Sequence, residues 1–425
     1  MSGVGSLEVW SSLGLTDNPY NSLPITSDEL GEKLLVGREE ELRALTISLL
    51  ALNTHPTLEG GNGVGKTSLV SVAGYRLFKA YLDSGSRFVL PLQKNFQLSI
   101  NENVAAFRVK VFLQVVQALI SNRNYFHADF PCPEFSSLER WRKSLRSIVG
   151  SSEMEGSEPS DGESAGLLDA IDEVKTWLEE TFQGSQAGFF LCVIDNLELL
   201  ETSSDAKALL EEMRDEVLNI PGLRWVLCGA RGIVRSVAST GRLVGFLGDP
   251  IEILPVRDEY IGALIEARLE AFKGEGNVSA PVEVDGFLKL YHIGHKNLRI
   301  AMKYCQDFTV WAFLKGADFS NAEAKLLLLE EWLSKTATKT FQDSAVGKRA
   351  WAVFDALAQK GGSVKPSEHP DFGFKSYQAM IPHLQSLSAA NLIESVIDNV
   401  DARKKTISML PLGWVVSYER SKRLL

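Results

Sequence analysis

At 425 residues the chain is long for one domain, so two or three packed units are expected. Hydrophobic residues at 45% and charged residues at 23% suit a globular protein with large cores, and a net charge of −10 excludes a surface coated for nucleic-acid binding. No run approaches the roughly 18 consecutive apolar residues of a membrane span, and "MSGVGSLEVWSS" lacks the basic patch and apolar core of a secretory signal, so no membrane partner is expected.

In chain order, residues 1–34 form an N-terminal segment in which "LTDNPYNSLP" reads as a loop. A helix is expected near Gly37 in "VGREEELRALTISLLAL", where acidic residues crowd the first turn and suit the helix dipole. A short strand "HPTLE", a glycine-rich loop and the helix "KTSLVSVAGYRLFKAYL" follow, then a strand "RFVLPLQ" and a buried helix "AAFRVKVFLQVVQALI". The stretch 150–166, "GSSEMEGSEPSDGESAG", holds five acidic residues and no basic ones, too polar to bury a core, and predicts a disordered insertion. Beyond it come a helix from about Leu167, the strand "GFFLCVIDN", the helix "AKALLEEMRDEVL", and the strands "RWVLCG" and "PIEILPV". Continuous apolar strands alternating with helices predict an α/β fold over residues 35–255, a parallel sheet covered on both faces. Residues 256–343 read as wholly helical, starting from "DEYIGALIEARLEAF", and residues 344–425 as a separate tail. Of the scattered cysteines Cys132, Cys192, Cys228 and Cys305, the middle two lie within apolar strands and predict buried free thiols; a reducing cytoplasm is expected.

The loop "EGGNGVGKTSLV" carries the most specific chemistry. Gly60, Gly65, Lys66 and Thr67 satisfy G-x-x-x-x-G-K-[ST]. Its glycines, with Gly61 and Gly63, let backbone N–H groups close on phosphate oxygens. Lys66 is placed to reach the outer phosphates, Thr67 to ligate Mg²⁺, and Asn62, Val64 and Ser68 complete the predicted ATP cradle at a helix N-terminus. A second Mg²⁺-orienting carboxylate is needed at the end of a buried strand, and Asp195 supplies it. Hydrolysis also needs a group that accepts a proton or positions water. The residue after Asp195 is Asn196, which cannot take a proton, so Glu198 is the nearest candidate and slow turnover is expected.

These patches, in this order, resemble AAA+ ATPases of the initiator, origin-recognition-like group and the related STAND P-loop NTPases. Asn18, Pro19 and Tyr20, with Val36, Gly37 and Arg38 in "LVGREEEL", look like the segment that wraps adenine in those families. "WVLCGAR" resembles the sensor-1 strand, with Arg231 at a γ-phosphate-reading position, and "GHKNLRIAMKYC" resembles the sensor-2 helix, with Arg299 as its arginine. An arginine on the γ-phosphate would make domain geometry depend on that phosphate. The resemblance implies a helical lid over 256–343 and ATP-dependent homo-oligomers. No arginine finger is assignable, and Asn196 stands where the family carries an acid.

The tail reads helix, helix, then two strand-like runs, "LIESVI" and "KTISML", the order of a winged helix. It carries 11 Lys and Arg against 7 Asp and Glu, and Lys375, Arg403, Lys404 and Lys405 are its candidate phosphate contacts, with Arg420, Lys422 and Arg423 at the terminus. Two functions stand open. An initiator-type switch would engage double-stranded DNA and a protein partner; a STAND-like signalling or defence ATPase would assemble on ATP and act through a protein partner alone. A nucleotide-stabilised scaffold that never hydrolyses ATP is a weaker third.

Overall fold

A computed structural model of the chain describes residues 9–424 apart from 52, 86, 100–101, 152–160, 185–187, 198–203, 231–233, 236–240, 344–345 and 398–404. Two compact units emerge, Pro24–Leu254 and a second that joins Met1–Leu23 to Pro255–Leu425.

The Pro24–Leu254 unit is built on parallel strands, as the uninterrupted apolar runs require. Its elements are α1 (Glu29–Leu34), α2 (Glu39–Ala51), β1 (Thr57–Glu59), α3 (Lys66–Ser84), β2 (Val89–Pro91), β3 (Phe96–Gln97), α4 (Val104–Asn122), α5 (Phe135–Ser151), α6 (Asp161–Thr181), β4 (Phe189–Asp195), α7 (Ser204–Met213), β5 (Leu223–Gly229) and β6 (Ile251–Glu252). The strand order is β2-β4-β5-β1-β6, with β3 also pairing with β4, and every pairing is parallel. Successive residues of β4 and β5 point to opposite faces. Phe190, Cys192, Ile194, Trp225 and Leu227 join the core containing α4 to α7. Phe189, Leu191, Val193, Val226 and Cys228 join the core under α2 and α3. The result is a three-layer α/β unit with the phosphate loop between β1 and α3.

Local chemistry sets the element ends. Glu39, Glu40 and Glu41 fill the first turn of α2, whose Leu42, Leu45 and Leu49 face the core. Asn103 caps α4 by accepting from Ala106 N–H at 2.9 Å. Among the described residues α4 is the one helix long and apolar enough to cross a membrane; its Val111, Phe112, Val115, Val116 and Leu119 are buried in the core. β1 has only three residues, but His55 extends it: its N–H donates to Phe246 O (2.9 Å) and its O accepts from Gly248 N–H (2.8 Å).

The second unit contains α8 (Ile261–Ala271), α9 (Val284–Ile293), α10 (Leu298–Leu314), α11 (Ala322–Asp343), α12 (Lys348–Gln359), β7 (Ser363–Val364), α13 (Tyr377–Ala389), β8 (Ile393–Ile397), β9 (Lys405–Met409) and α14 (Pro411–Leu424). The small sheet is antiparallel with order β7-β9-β8. Residues 9–12 are helical, and Val9, Trp10, Leu13, Leu15 and Tyr20 are buried, so the N-terminal segment contributes core to this unit, Leu15 and Tyr20 from within the stretch read as loop.

Among the described residues, α1, α5 and α14, like the short helix at 9–12, lie outside the predicted set. The helix expected near Leu167 starts at Asp161. The acidic stretch expected to be disordered is helical at both ends, up to Ser151 and from Asp161, while residues 152–160 lie outside the described residues.

Candidate phosphate-binding site

The phosphate loop folds as its residue types require. Gly60 must be glycine because a Cβ there would sit 2.5 Å from the Ile253 carbonyl oxygen. Gly63 and Gly65 have φ +77° and +102°, in the range that side chains disfavour. Gly65 caps α3 without any side-chain hydrogen bond, so the first turn presents its backbone N–H groups without a competing cap. Lys66 is buried, its Nζ donating to the carbonyls of Gly60 (2.8 Å) and Gly61 (3.2 Å). Val64 is buried while Asn62 and Gly61 are exposed on the loop.

The strand end meets the loop as predicted. Thr67 Oγ1 donates to Asp195 Oδ2 at 2.7 Å, joining residues 128 apart in sequence. The other carboxylate oxygen, Oδ1, accepts from Asn196 N–H at 2.9 Å. Asn196 reaches that position through a left-handed backbone, φ +59°. Asparagine tolerates this region far better than most residues, so the Asn at this position has a conformational cause. A hydroxyl and a carboxylate this close, beside a buried lysine and a capless helix, form a donor set that fits Mg²⁺ and a nucleotide triphosphate.

Arg38 has a role that the motif pattern did not reveal. Its guanidinium is buried and donates to Val64 O at 2.9 Å while pairing with Glu41 at 2.7 Å, fastening the loop to α2. Val36 and Gly37 are half-buried beside it, Gly37 with φ +71°. Ser68 likewise acts on the protein itself: its Oγ accepts from Ile25 N–H at 3.1 Å. Ser27 Oγ donates to Ser71 O at 3.0 Å and Glu32 pairs with Arg76 at 2.8 Å, so residues 25–32 run along α3.

Asn18 and Pro19 are held in the second unit. Asn18 Nδ2 donates to Gln306 at 2.9 Å, and Arg268 Nη1 donates to the carbonyls of Pro19 (2.9 Å) and Asn21 (3.2 Å). Burial pushes the Arg268 guanidinium down to about 10, still charged at neutral pH. The signal for Arg268 was available: it continues the buried stripe Ile261, Leu264, Ile265 on α8, where a lone arginine needs backbone acceptors. Arg299 is the second residue of α10 and is exposed. Glu198 and Arg231 lie outside the described residues, as do Arg403 and Lys404 in the tail. Lys405 opens β9 and Lys375 is exposed ahead of α13.

Two of the three terminal basic residues named as phosphate contacts are paired within the protein, and the side chain of the third, Arg423, lies outside the described residues. Arg420 makes a two-point pair with Asp355 (2.9 and 2.6 Å) and lies over the Trp351 ring at 4.4 Å. Lys422 pairs with Glu330 (2.6 Å) and Glu419 (2.7 Å). Both charges are thus met by carboxylates of the protein itself.

No protein-family model and no curated protein matches the sequence. Among solved structures the chain is similar to the Aeropyrum pernix ORC1 protein in complex with DNA, at 14% identity over 92% of this chain and 95% of that one, with a TM-score of 0.43. It is similar to the ADP form of the Aeropyrum pernix ORC2 protein at 14% identity, covering 91% and 94%, with a TM-score of 0.45. It is also similar to domain III of the Thermotoga maritima replication initiation protein DnaA, at 14% identity, covering 73% and 98%, with a TM-score of 0.39. At such identities and scores these likenesses assign no activity to this chain.

Proposed function

We propose that this chain is an ATP-binding switch of the AAA+ type, with slow hydrolysis, that couples nucleotide state to engagement of a partner through a winged-helix tail. The observation that carries this reading is the 2.7 Å bond between Thr67 and Asp195 beside the buried Lys66. Lys66 would hold the outer phosphates, and Thr67 and Asp195 would hold Mg²⁺, whose charge would stabilise the transferring phosphoryl group. Asn196 commits its backbone to pinning Asp195 and offers no proton acceptor, which supports a long-lived bound state over rapid turnover. The initiator reading adds double-stranded DNA as a partner and homo-oligomers formed on ATP, in the cytoplasm.

A second reading, partner engagement without DNA, is favoured by one observation. Helix α13, the groove-entering candidate of the tail, "YQAMIPHLQSLSA", carries no Lys, Arg, Asp or Glu, and Arg420 and Lys422 are paired internally. Such a face suits docking to protein.

The test is equilibrium binding of a fluorescent ATP analogue with Mg²⁺. Lys66→Ala is expected to lose affinity by at least about 100-fold, or roughly 2.7 kcal/mol, with its unliganded melting temperature retained. Asp195→Asn is expected to lose the Mg²⁺ dependence. Equal affinity in Lys66→Ala and the natural protein would overturn the nucleotide reading. Retention of duplex DNA with ATP, against ATP-driven assembly without it, separates the two partner readings.

A further inference from the structure

A cleft of about 500 Å³ lies wholly within the second unit, between the last turn of α9 and helix α14. Lys289, His292 and His295 form one wall and Trp414, Ser417 and Tyr418 the other. The His295 ring packs on Trp414 with centroids 3.7 Å apart at 36°. Trp414 is itself fixed, since a Cβ on Gly362 would come within 2.1 Å of its ring. His295 is exposed and sits with Lys296 in a left-handed pair, φ +53° and +58°. Two consecutive non-glycine residues in that region carry a conformational cost that the surrounding structure must impose, and here the loop lays an imidazole on an indole.

The polar groups are arranged around the cleft in an orderly way. No carboxylate lines it. Its cations are paired with acids outside the lining: Glu330 accepts from Lys289, from Tyr418 Oη on the other wall (3.4 Å) and from Lys422 (2.6 Å), and Asp258 accepts from His292 Nε2 and Lys296 Nζ, both at 2.9 Å. Lys289 and His292 are thereby held in place at the cleft wall, and the Lys289 ammonium has further hydrogens to donate. Among the described residues, neither the ring nitrogens of His295 nor the Ser417 hydroxyl has a hydrogen-bond partner. An aromatic shelf, a cation and unengaged donors occupy one space of the volume that small-molecule sites have.

We propose that this cleft binds a small aromatic anion, its ring stacked on the exposed face of His295 and its charged group on Lys289 and Ser417. The site is independent of the phosphate loop, and its test is designed to stay so. The probe is adenosine 5′-monophosphate, titrated calorimetrically into full-length protein carrying Lys66→Ala. Saturable one-to-one binding is expected. It should weaken by at least about tenfold with His295→Ala and with Ser417→Trp, which fills the cleft, while both variants keep their unliganded melting temperature. Should Ser417→Trp fail to fold, His295→Ala alone carries the test. Adenosine and ribose 5-phosphate, each lacking one half of the recognised group, should each bind at least about tenfold more weakly than the monophosphate. Three outcomes overturn the proposal: no binding by the Lys66→Ala protein, affinity unchanged by His295→Ala, or ribose 5-phosphate binding as tightly as the monophosphate.

Discussion

Two residues, one remote from the phosphate loop and one beside it, show how much a single position can set. His55 lies at the opposite end of the sheet from the phosphate loop, buried, with Nδ1 accepting from Trp225 N–H at 3.2 Å and Nε2 facing Leu218 O at 3.1 Å. Burial, with the nearby Arg224 charge, pushes its pKa down to about 3. An unfolded chain takes up the proton near 6.5, so the unfolded state binds more protons and stability falls as pH drops below 6.5, flattening only below about 3. At pH 5 the loss is about 2 kcal/mol relative to neutral pH. Urea unfolding across pH 5 to 7.5 should show this slope in the natural protein and not in His55→Asn; parallel profiles would show that His55 is not held neutral. Asn196 makes a second, sharper point. Because its φ of +59° positions the N–H that pins Asp195, Asn196→Gly should keep Mg²⁺-dependent nucleotide affinity, whereas Asn196→Val should cost about 1–2 kcal/mol of stability. Equal stability of the two variants, measured by denaturant unfolding, would remove the backbone argument.

At the level of elements, legibility followed length and periodicity. The strands β4 and β5, with six and seven buried positions in a row, were plain in the sequence as short apolar runs bounded by turn residues, and helix α4 as an apolar stretch too long for a strand. β3, of two residues, exists only through pairing with β4 and carries no periodic signal of its own, and of the strand read in "PIEILPV" only Ile251 and Glu252 pair, with β1. α14 was hidden by its start, "PLGW", which reads as punctuation. Pro411 takes the first helical position, where its missing N–H costs nothing, and Gly413 lets the helix close on the Leu392 carbonyl. At the phosphate loop, the loop itself, Thr67 and Asp195 were legible from spacing, whereas Arg38 acts through a carbonyl distant in sequence that no motif encodes; in the second unit Arg268 acts the same way and is legible only as a lone arginine in a buried stripe. Gly74 tests the α3–sheet contact. A mid-helix glycine normally gains roughly 1 kcal/mol on replacement by alanine. Here a Cβ would lie 2.8 Å from Leu191 Cδ2 and 2.9 Å from the Pro91 ring, so overpacking should win and Gly74→Ala should lower stability by about 1 kcal/mol. A rise in melting temperature for Gly74→Ala would mean that α3 is looser on β2 and β4 than described.

For the whole molecule, the decisive quantity is how much positive charge remains available after folding. The chain carries −10 overall, and the tail's excess of basic residues suggested a phosphate-binding surface. Folding consumes part of it: Arg420 pairs with Asp355, Lys422 with Glu330 and Glu419, and Lys360 with Asp371 and Glu368. Arg349 donates to the carbonyls of Phe372 and Gly373 at 3.1 and 3.2 Å. If duplex DNA is engaged through Lys375, Arg403, Lys404 and Lys405 alone, four phosphates are neutralised, and the logarithm of affinity should fall against the logarithm of salt concentration with a slope of about −3 to −4. Retention measured from 50 to 200 mM salt reads that slope directly. Lys405→Ala should make it shallower by about one, while Lys422→Ala should leave it unchanged because its charge is neutralised within the protein. A slope steeper than about −4 would mean that more than these four residues reach phosphates, whether exposed ones such as Lys348 and Lys365 or the paired lysines and arginines. Absence of retention at 50 mM salt, with ATP-driven assembly intact, would instead fit the uncharged face of α13 and give the tail to a protein partner.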